Sequence, residues 1–454
     1  MSHSKVFDST PRQTSPIETR YRRIVTPIPH PDTLPTLETL REFEPISMGG
    51  QPPIRWEKAE GFSVFDAAGN TWIDFSSGVL VANCGHSHPK LRAALIDQIE
   101  NGVIFSYCFP NKPRAELVRR LVQLAGGRMD RCFLLTTGAE ATENAIKLAR
   151  THGRNTSGPR RRVIVSFEGA FHGRTLGSQL AGGSPALKEW IGIENTGFVN
   201  VPFPDEASGK DAAFSDFLSA LDRLGVAPDE VCGVMAESYQ GGTGRFYPTQ
   251  YMQHLRAWCD EHDVLLIMDE VQAGFGRTGK LFTHHHYGIE ADIICCGKGL
   301  SGSLPMSAVL GNSRFMSSYG PGEMTSTHSG SAICARAALA SLEIIEEEGL
   351  VENSRRLGDV LGSEIRALAA RRPDLISAAN GRGLMMAILF KDAAGLSGGE
   401  VAMKVVDTCV RQGVMLYAPV GPGGATVKIN PPLMITEDAL REGLGVFAEA
   451  VECL

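Results

Sequence analysis

The chain of 454 residues contains no apolar run long enough to span a bilayer, which excludes a membrane-spanning helix. It also lacks an excess of positive charge: 44 Lys and Arg stand against 51 Asp and Glu, a formal net charge of −7. Binding to a phosphate backbone wants a basic face, so nucleic acid is not the expected partner. The opening stretch MSHSKVFDSTPRQTSPIETRYRR has no apolar core and no cleavage-site pattern, and no secretory signal is read there. The ten cysteines are scattered without ligand spacing, and the adjacent Cys295 and Cys296 sit in an apolar run, so buried reduced thiols are expected. His284–His286 has no second cluster at matching spacing; it reads as a polar loop or helix face, and no metal is expected. No internal repeat interrupts an ordinary globular composition, 43% hydrophobic and 21% charged.

The length exceeds one hydrophobic core and predicts two or three structural units. The first forty or so residues, rich in Pro, Thr and Arg, read as an extended arm. SVFDAAGNTWIDF then reads as a hairpin. RCFLLTTG, RRVIVSFEGA, DEVCGVMAES, VLLIMDE, DIICCG and SAVLGN are short apolar strands, interspersed with helices such as AEATENAIKLARTHG and TQYMQHLRAWCDEHD. This alternation predicts an α/β unit with a mostly parallel sheet covered by helices. From about residue 335 one long helical stretch leads to GLMMAILF, GVMLYAPV and TVKINPPLMIT, a smaller C-terminal α+β domain. The divisions expected are an N-terminal arm and hairpin over 1–75 packing on that small domain, a large domain over 76–340, and the small domain over 341–454.

Inside VLLIMDEVQAGFGRTGK, Gly274–Gly279 fits the G-x-G-x-x-G pattern of dinucleotide loops, with Asp292 downstream. Three features of the context disagree. DEVQA separates the strand from Gly274, the residues after Gly279 are too few for a crossover helix, and Asp292 precedes a strand instead of ending one. A different chemistry fits better. Asp269 closes one apolar strand and Lys298 follows the next, so both fall at the carboxyl edge of one parallel sheet, where ligands bind in such folds. Burying a carboxylate and a lysine is costly unless each has a partner. A pyridoxal 5′-phosphate ring offers both, a pyridinium nitrogen and an aldehyde; a plain Asp–Lys ion pair is the alternative.

IMDEVQAGFGRTG followed by DIICCGKGLSG resembles the signature of the class III, or ω-, aminotransferases, a group of fold-type I pyridoxal 5′-phosphate enzymes that includes the 4-aminobutyrate and ornithine aminotransferases. The resemblance runs from GFSVFDAAGNTWIDFSSG to KINPPLMIT. It implies that Lys298 is the Schiff-base lysine and proton carrier, that Asp269 is the acid beneath the ring nitrogen, and that Gln272 hydrogen-bonds the ring's phenolic oxygen. TTGAEATENAIKLAR resembles the phosphate loop, assigning Gly138 and Ala139 at a helix N-terminus; many relatives have serine where Ala139 stands. GAFHGRT assigns Phe171 as the aromatic stacked on the ring, with His172 beside it and Arg174 where some relatives contact a substrate carboxylate. Thr327 matches a threonine reaching the neighbouring subunit's phosphate, although SGSA replaces the usual residues after it.

Val79 matches a pocket-lining apolar position, just before the GHSHP loop, and Glu237 a glutamate that pairs with a substrate-gripping arginine. Here that arginine is replaced by Lys428, which has no planar fork for a carboxylate. The resemblance implies a cytoplasmic homodimer with shared active sites, moving an amino group from a primary amine or amino acid to a 2-oxo acid. A lyase that eliminates ammonia or phosphate from a small amino compound would share the same cofactor contacts.

Overall fold

The computed structural model describes residues 6–193, 196–204 and 214–454. Met1–Lys5 of the polar N-terminal segment lie outside the described residues. The chain forms two compact units, one of Met1–His88 with Glu348–Leu454 and one of Pro89–Glu347.

In the first unit, strands β1 (Ser63–Phe65) and β2 (Thr71–Asp74) pair antiparallel around the Ala-Ala-Gly-Asn turn, as the alternating pattern predicts. Residues 76–88, placed by the sequence pattern with the large domain, cluster here. They are hydrogen-bonded locally: Gly61 and His86 exchange both backbone bonds, and Leu433 N donates to the Asn83 carbonyl.

The second unit is built on a seven-stranded sheet. In chain order its strands are β3 (Arg131–Leu135), β4 (Val163–Phe167), β5 (Phe198–Val201), β6 (Val231–Glu237), β7 (Leu265–Asp269), β8 (Ile293–Cys296) and β9 (Ser307–Gly311). Their order across the sheet is β3-β9-β8-β7-β6-β4-β5. The pairings from β8 through β5 are all parallel, whereas β9 runs antiparallel to both β8 and β3. Only ten residues separate β8 from β9, too few for a parallel crossover, so the chain must turn back. Strand β5 had no sequence signal of its own, since Phe198–Val201 is short and half-buried. The central β6 is buried along all seven residues, in keeping with a parallel strand covered on both faces.

Helix α1 (Gly138–Ser157) covers one face. Thr137 and Glu140 close a reciprocal capping box that fixes its start. Ala141, Ala145, Ile146, Leu148 and Ala149 recur at helical spacing and pack on Ile267, Ile293 and Val309 of the sheet. The long helical stretch after residue 330 proves to be two helices, α2 (Ala332–Glu347) and α3 (Leu350–Arg371), broken where Gly349 takes φ 62°. A left-handed residue ends the first helix, and glycine is the residue that adopts it without cost.

The C-terminal half of the first unit carries β10 (Ile376–Gly381), β11 (Met386–Phe390), helix α4 (Gly398–Arg411), β12 (Val414–Met415), β13 (Thr426–Ile429) and helix α5 (Glu437–Glu452). Strands β10, β11 and β13 form an antiparallel sheet, while β12 pairs in parallel with β2. After β2 the backbone does something no pattern announced. Ser77, Gly78, Val79 and Leu80 take φ of 50°, 56°, 63° and 62°, one turn of left-handed helix. Such a conformation costs roughly 1–2 kcal/mol for each residue other than glycine.

Trp72 joins the hairpin to α4. Its ring is fully buried, and Nε1 donates to the Val410 carbonyl at 2.7 Å. Trp72→Ala should destabilise the protein by about 3–5 kcal/mol, the usual cost of emptying so large a buried site. Urea unfolding followed by circular dichroism measures this; an unchanged midpoint would show that the hairpin is not part of the cooperative core.

Candidate active site

Strands β6 and β7 run side by side and end together, with Glu237 opposite Asp269. Because parallel strands present their carboxyl ends at one edge, two acids and the loops after them converge there. Asp269 is buried. Its Oδ1 accepts the Val271 amide at 3.0 Å, and its Oδ2 faces Nδ1 of His172 at 2.8 Å. With Asp269 ionised, that contact makes Nδ1 the donor. The other ring nitrogen of His172 is buried with no hydrogen-bond partner. Thr142, one turn into α1, donates to the His172 carbonyl at 2.8 Å and so fixes the histidine's backbone.

Glu237 is held at both oxygens. The Phe171 amide donates to Oε2 and the Gly241 amide to Oε1, each at 3.0 Å. Burial pushes its pKa up to about 7; His172 and the two amide bonds oppose this, and the neighbouring Asp269 adds to it. Lys298 follows β8 with a left-handed φ of 42°. The side chain is only partly shielded as a residue, but its amine is enclosed by protein, and this loss of water lowers the pKa against the pull of Asp269 and Glu237. One basic and two acidic groups thus act on one another inside the protein.

Glycines let the segments at this edge approach closely. A Cβ on Gly241 would lie 2.6 Å from Glu237 Oε1 and 3.1 Å from Gln272 Oε1, so any side chain there would displace both. A Cβ on Gly138 would lie 2.6 Å from Val271 Cγ1, which brings the start of α1 against the loop after β7. The capping box leaves the amides of Gly138 and Ala139, like those at the start of any helix, without partners in the helix itself. Ala139 packs where Gly173 passes; a Cβ on that glycine would lie 2.9 Å from the alanine's own. Tyr239 donates to Gln272 Oε1 at 2.9 Å and so orients the amide. The Phe171 ring remains 42% exposed, and the Arg174 guanidinium lies 5.5 Å from its centre.

The structure therefore gathers Lys298, Asp269, Glu237, His172, Phe171, Gln272, Gly138, Ala139 and Arg174 around the ends of β6–β8. Thr327 lies on an exposed loop whose neighbours touch another segment, Thr325 bonding Tyr107 and His328 packing on Phe105. Val79 and Lys428 belong to the other unit. Val79 is 44% exposed, whereas Lys428 is 2% exposed in the middle of β13, opposite Ala387.

Of the histidine triplet, expected on a polar loop or helix face, His285 is exposed but His284 is not. His284 is on no polar face: its Nδ1 lies 2.8 Å from the fully buried Glu270, which also accepts from Ser238 Oγ and the amides of Thr283 and His284. The sequence reading passed over Glu270, Thr142 and Tyr239, for none of them carries a local signal. Gly241 did carry one, because paired glycines after a strand mark a close approach.

The sequence profile of the family described as aminotransferase class-III matches residues 47–451. The chain is 35% identical over 402 residues to the acetylornithine aminotransferase of Brucella melitensis biotype 1, covering 88% of this chain and 93% of that protein. It is 32% identical over 415 residues to the 5-aminovalerate aminotransferase of Pseudomonas putida, covering 89% and 95%. Among solved structures it resembles the ornithine aminotransferase of Toxoplasma gondii, described with partial occupancy of PLP at its active site. There the TM-score is 0.82 at 27% identity, covering 92% of this chain and 94% of that one.

The raised pKa of Glu237 has a consequence for stability. Between about pH 4.5 and 7 the folded protein keeps a proton that the unfolded chain has released, so stability falls as pH rises through that window and levels off above it. In the cofactor-free protein, Glu237→Gln should gain on wild type by about 1.4 kcal/mol per pH unit across this range. Denaturant melts at pH 5, 6 and 7.5 measure it, and a constant difference would show that Glu237 is ionised throughout.

Proposed function

The chain belongs to the class III aminotransferases, pyridoxal 5′-phosphate-dependent enzymes that move an amino group from a primary amine or amino acid to a 2-oxo acid, and on that premise we propose the following roles for its residues. The observation that carries the proposal is the pairing of Asp269 with Glu237 at one sheet edge, Asp269 being held there by His172 and Val271, with Lys298 following the neighbouring strand.

The residues present fit the cofactor. The start of α1 offers amides for a phosphate, buried Asp269 offers a carboxylate for a ring nitrogen, and Phe171 is partly exposed. When bound, the cofactor supplies an electron-withdrawing ring that stores charge as the substrate carbon loses its proton. Lys298 would hold the cofactor covalently and then carry that proton; both tasks call on the neutral amine, and burial shifts Lys298 in that direction. Asp269, oriented by His172 and Val271, would keep the ring nitrogen protonated. Gln272, set by Tyr239, would meet the ring's phenolic oxygen.

The family resemblance assigns substrate contacts to Glu237 and Arg174, and separately to Lys428 and Val79. The amine donor proposed is an ω-amino acid, a chain ending in a primary amine, the type named for the acetylornithine and 5-aminovalerate relatives. The assembly proposed is a cytoplasmic homodimer with shared sites. All ten cysteines are free thiols. An exposed apolar run, Val103, Ile104, Phe105, Tyr107 and Phe109, adjoins the Thr327 loop and is suited to cover by a second copy.

Lys298→Ala should lose the visible absorbance of the lysine-bound cofactor and essentially all turnover while keeping its fold. Asp269→Asn should keep cofactor binding but slow proton removal by several orders of magnitude, since a charge stabilised in the transition state is worth several kcal/mol. Spectra with an ω-amine, followed by recovery on adding a 2-oxo acid, check both; normal turnover in Lys298→Ala would overturn the proposal.

Lys428→Arg tests the far end. A planar fork grips a carboxylate at two oxygens, so kcat/KM for an α-amino acid should rise, about tenfold for each 1.4 kcal/mol gained. Equal effects on charged and uncharged amines would remove Lys428 from substrate recognition.

A further inference from the structure

The left-handed turn Ser77–Leu80 carries Val79, and three of its four residues are not glycine. A β-branched residue at positive φ persists only where its surroundings impose it. Those surroundings are unusually complete. Ser76 Oγ accepts the Gly78 amide at 3.1 Å and caps the turn. The fully buried Asp74 accepts both the Ser76 amide, at 2.7 Å, and its hydroxyl, at 2.5 Å.

The other oxygen of Asp74 meets His86 Nε2 at 2.7 Å. The imidazole is wedged in place: Cε1 lies 3.8 Å from where a Cβ on Gly78 would sit, and Trp56 packs edge-on with ring centres 5.6 Å apart. Ser77 Oγ donates to the Asn430 carbonyl at 2.5 Å, and the Asn430 amide returns to the Phe75 carbonyl at 2.7 Å. Asn430 lies two residues beyond Lys428. Val79 and Lys428 are thus borne by two segments bolted to each other.

We propose that Asp74, Ser76 and His86 form a clamp that holds this turn left-handed, and that the clamp sets substrate choice by fixing where Val79 stands relative to the Lys428 strand. His86 is a positioning residue acting through Val79. The inference rests on reading Val79 as a substrate contact.

Two readouts test it, on the cofactor-loaded protein. The first is amide hydrogen exchange at Leu80, Val81 and Ala82, which donate to the carbonyls of Ser76, Ser77 and Ser77. His86→Ala should raise these rates at least tenfold, and His86→Gln, which keeps a donor for Asp74, should restore part of the protection. The second is the ratio of kcat/KM for a long ω-amino acid to that for a short one, both with the same 2-oxo acid. His86→Ala should move the ratio several-fold, mainly through KM, and the double variant with Val79→Ala should move it no further than Val79→Ala alone. Ser77→Ala, which removes the bond to Asn430, is expected to act in the same direction and serves if His86→Ala does not fold.

Unchanged exchange, or a ratio that moves additively in the double variant, overturns the clamp. A Val79→Ala variant with an unchanged ratio overturns the reading of Val79 beneath it. Loss of the 2-oxo acid dependence itself, already in the wild type, would instead strike the proposed reaction.

Discussion

One buried carboxylate organises the second unit. Asp269 ends a strand that no water reaches, and a carboxylate there must be met by donors or it will not stay charged. The Val271 amide and His172 meet it, and each brings a segment along. Val271 stands against Gly138, the start of the helix that covers one face of the sheet. His172 is itself held by Thr142 of that same helix. The strand end, the helix start and the loop bearing Phe171 are therefore mutually located by the needs of one charged group.

The groups around it are tuned by the same loss of water, in opposite directions. Burial raises Glu237 and lowers Lys298, in each case toward the neutral form. An acid and a base that would be fully charged on a surface are thereby brought nearer to exchanging protons. The backbone amides on Glu237 limit how far this goes and keep the carboxyl in place. Glu270 shows the contrast: it follows Asp269 in sequence and is also buried, yet it receives so many donors that its pKa is lowered instead.

The first unit stores its cost in backbone conformation. A turn with three left-handed non-glycine residues is tolerated because a buried aspartate, its serine and a histidine over-determine it. Lys428 lies buried on β13 of the same unit. Stability given up at such points is characteristic of sites where geometry matters more than burial.

Much of this was legible in the chain. The alternation of short apolar strands and amphipathic helices specified the layered sheet, and the spacing from Asp269 to Lys298 placed acid and amine at one edge, because side-chain period and strand polarity are local properties. The stretch after Gly279, too short for a crossover helix, likewise disposed of the dinucleotide reading. Tertiary structure alone decided the rest. The reversal of β9 followed from a short connection, and β5 from pairing rather than propensity. That His284 would answer Glu270, that Thr142 would hold His172, and that Ser77 would reach Asn430 across 353 positions could not be read locally. Each joins groups distant in sequence, and a hydrogen bond is specified by where the fold brings its two ends together, not by the residues on either side of each.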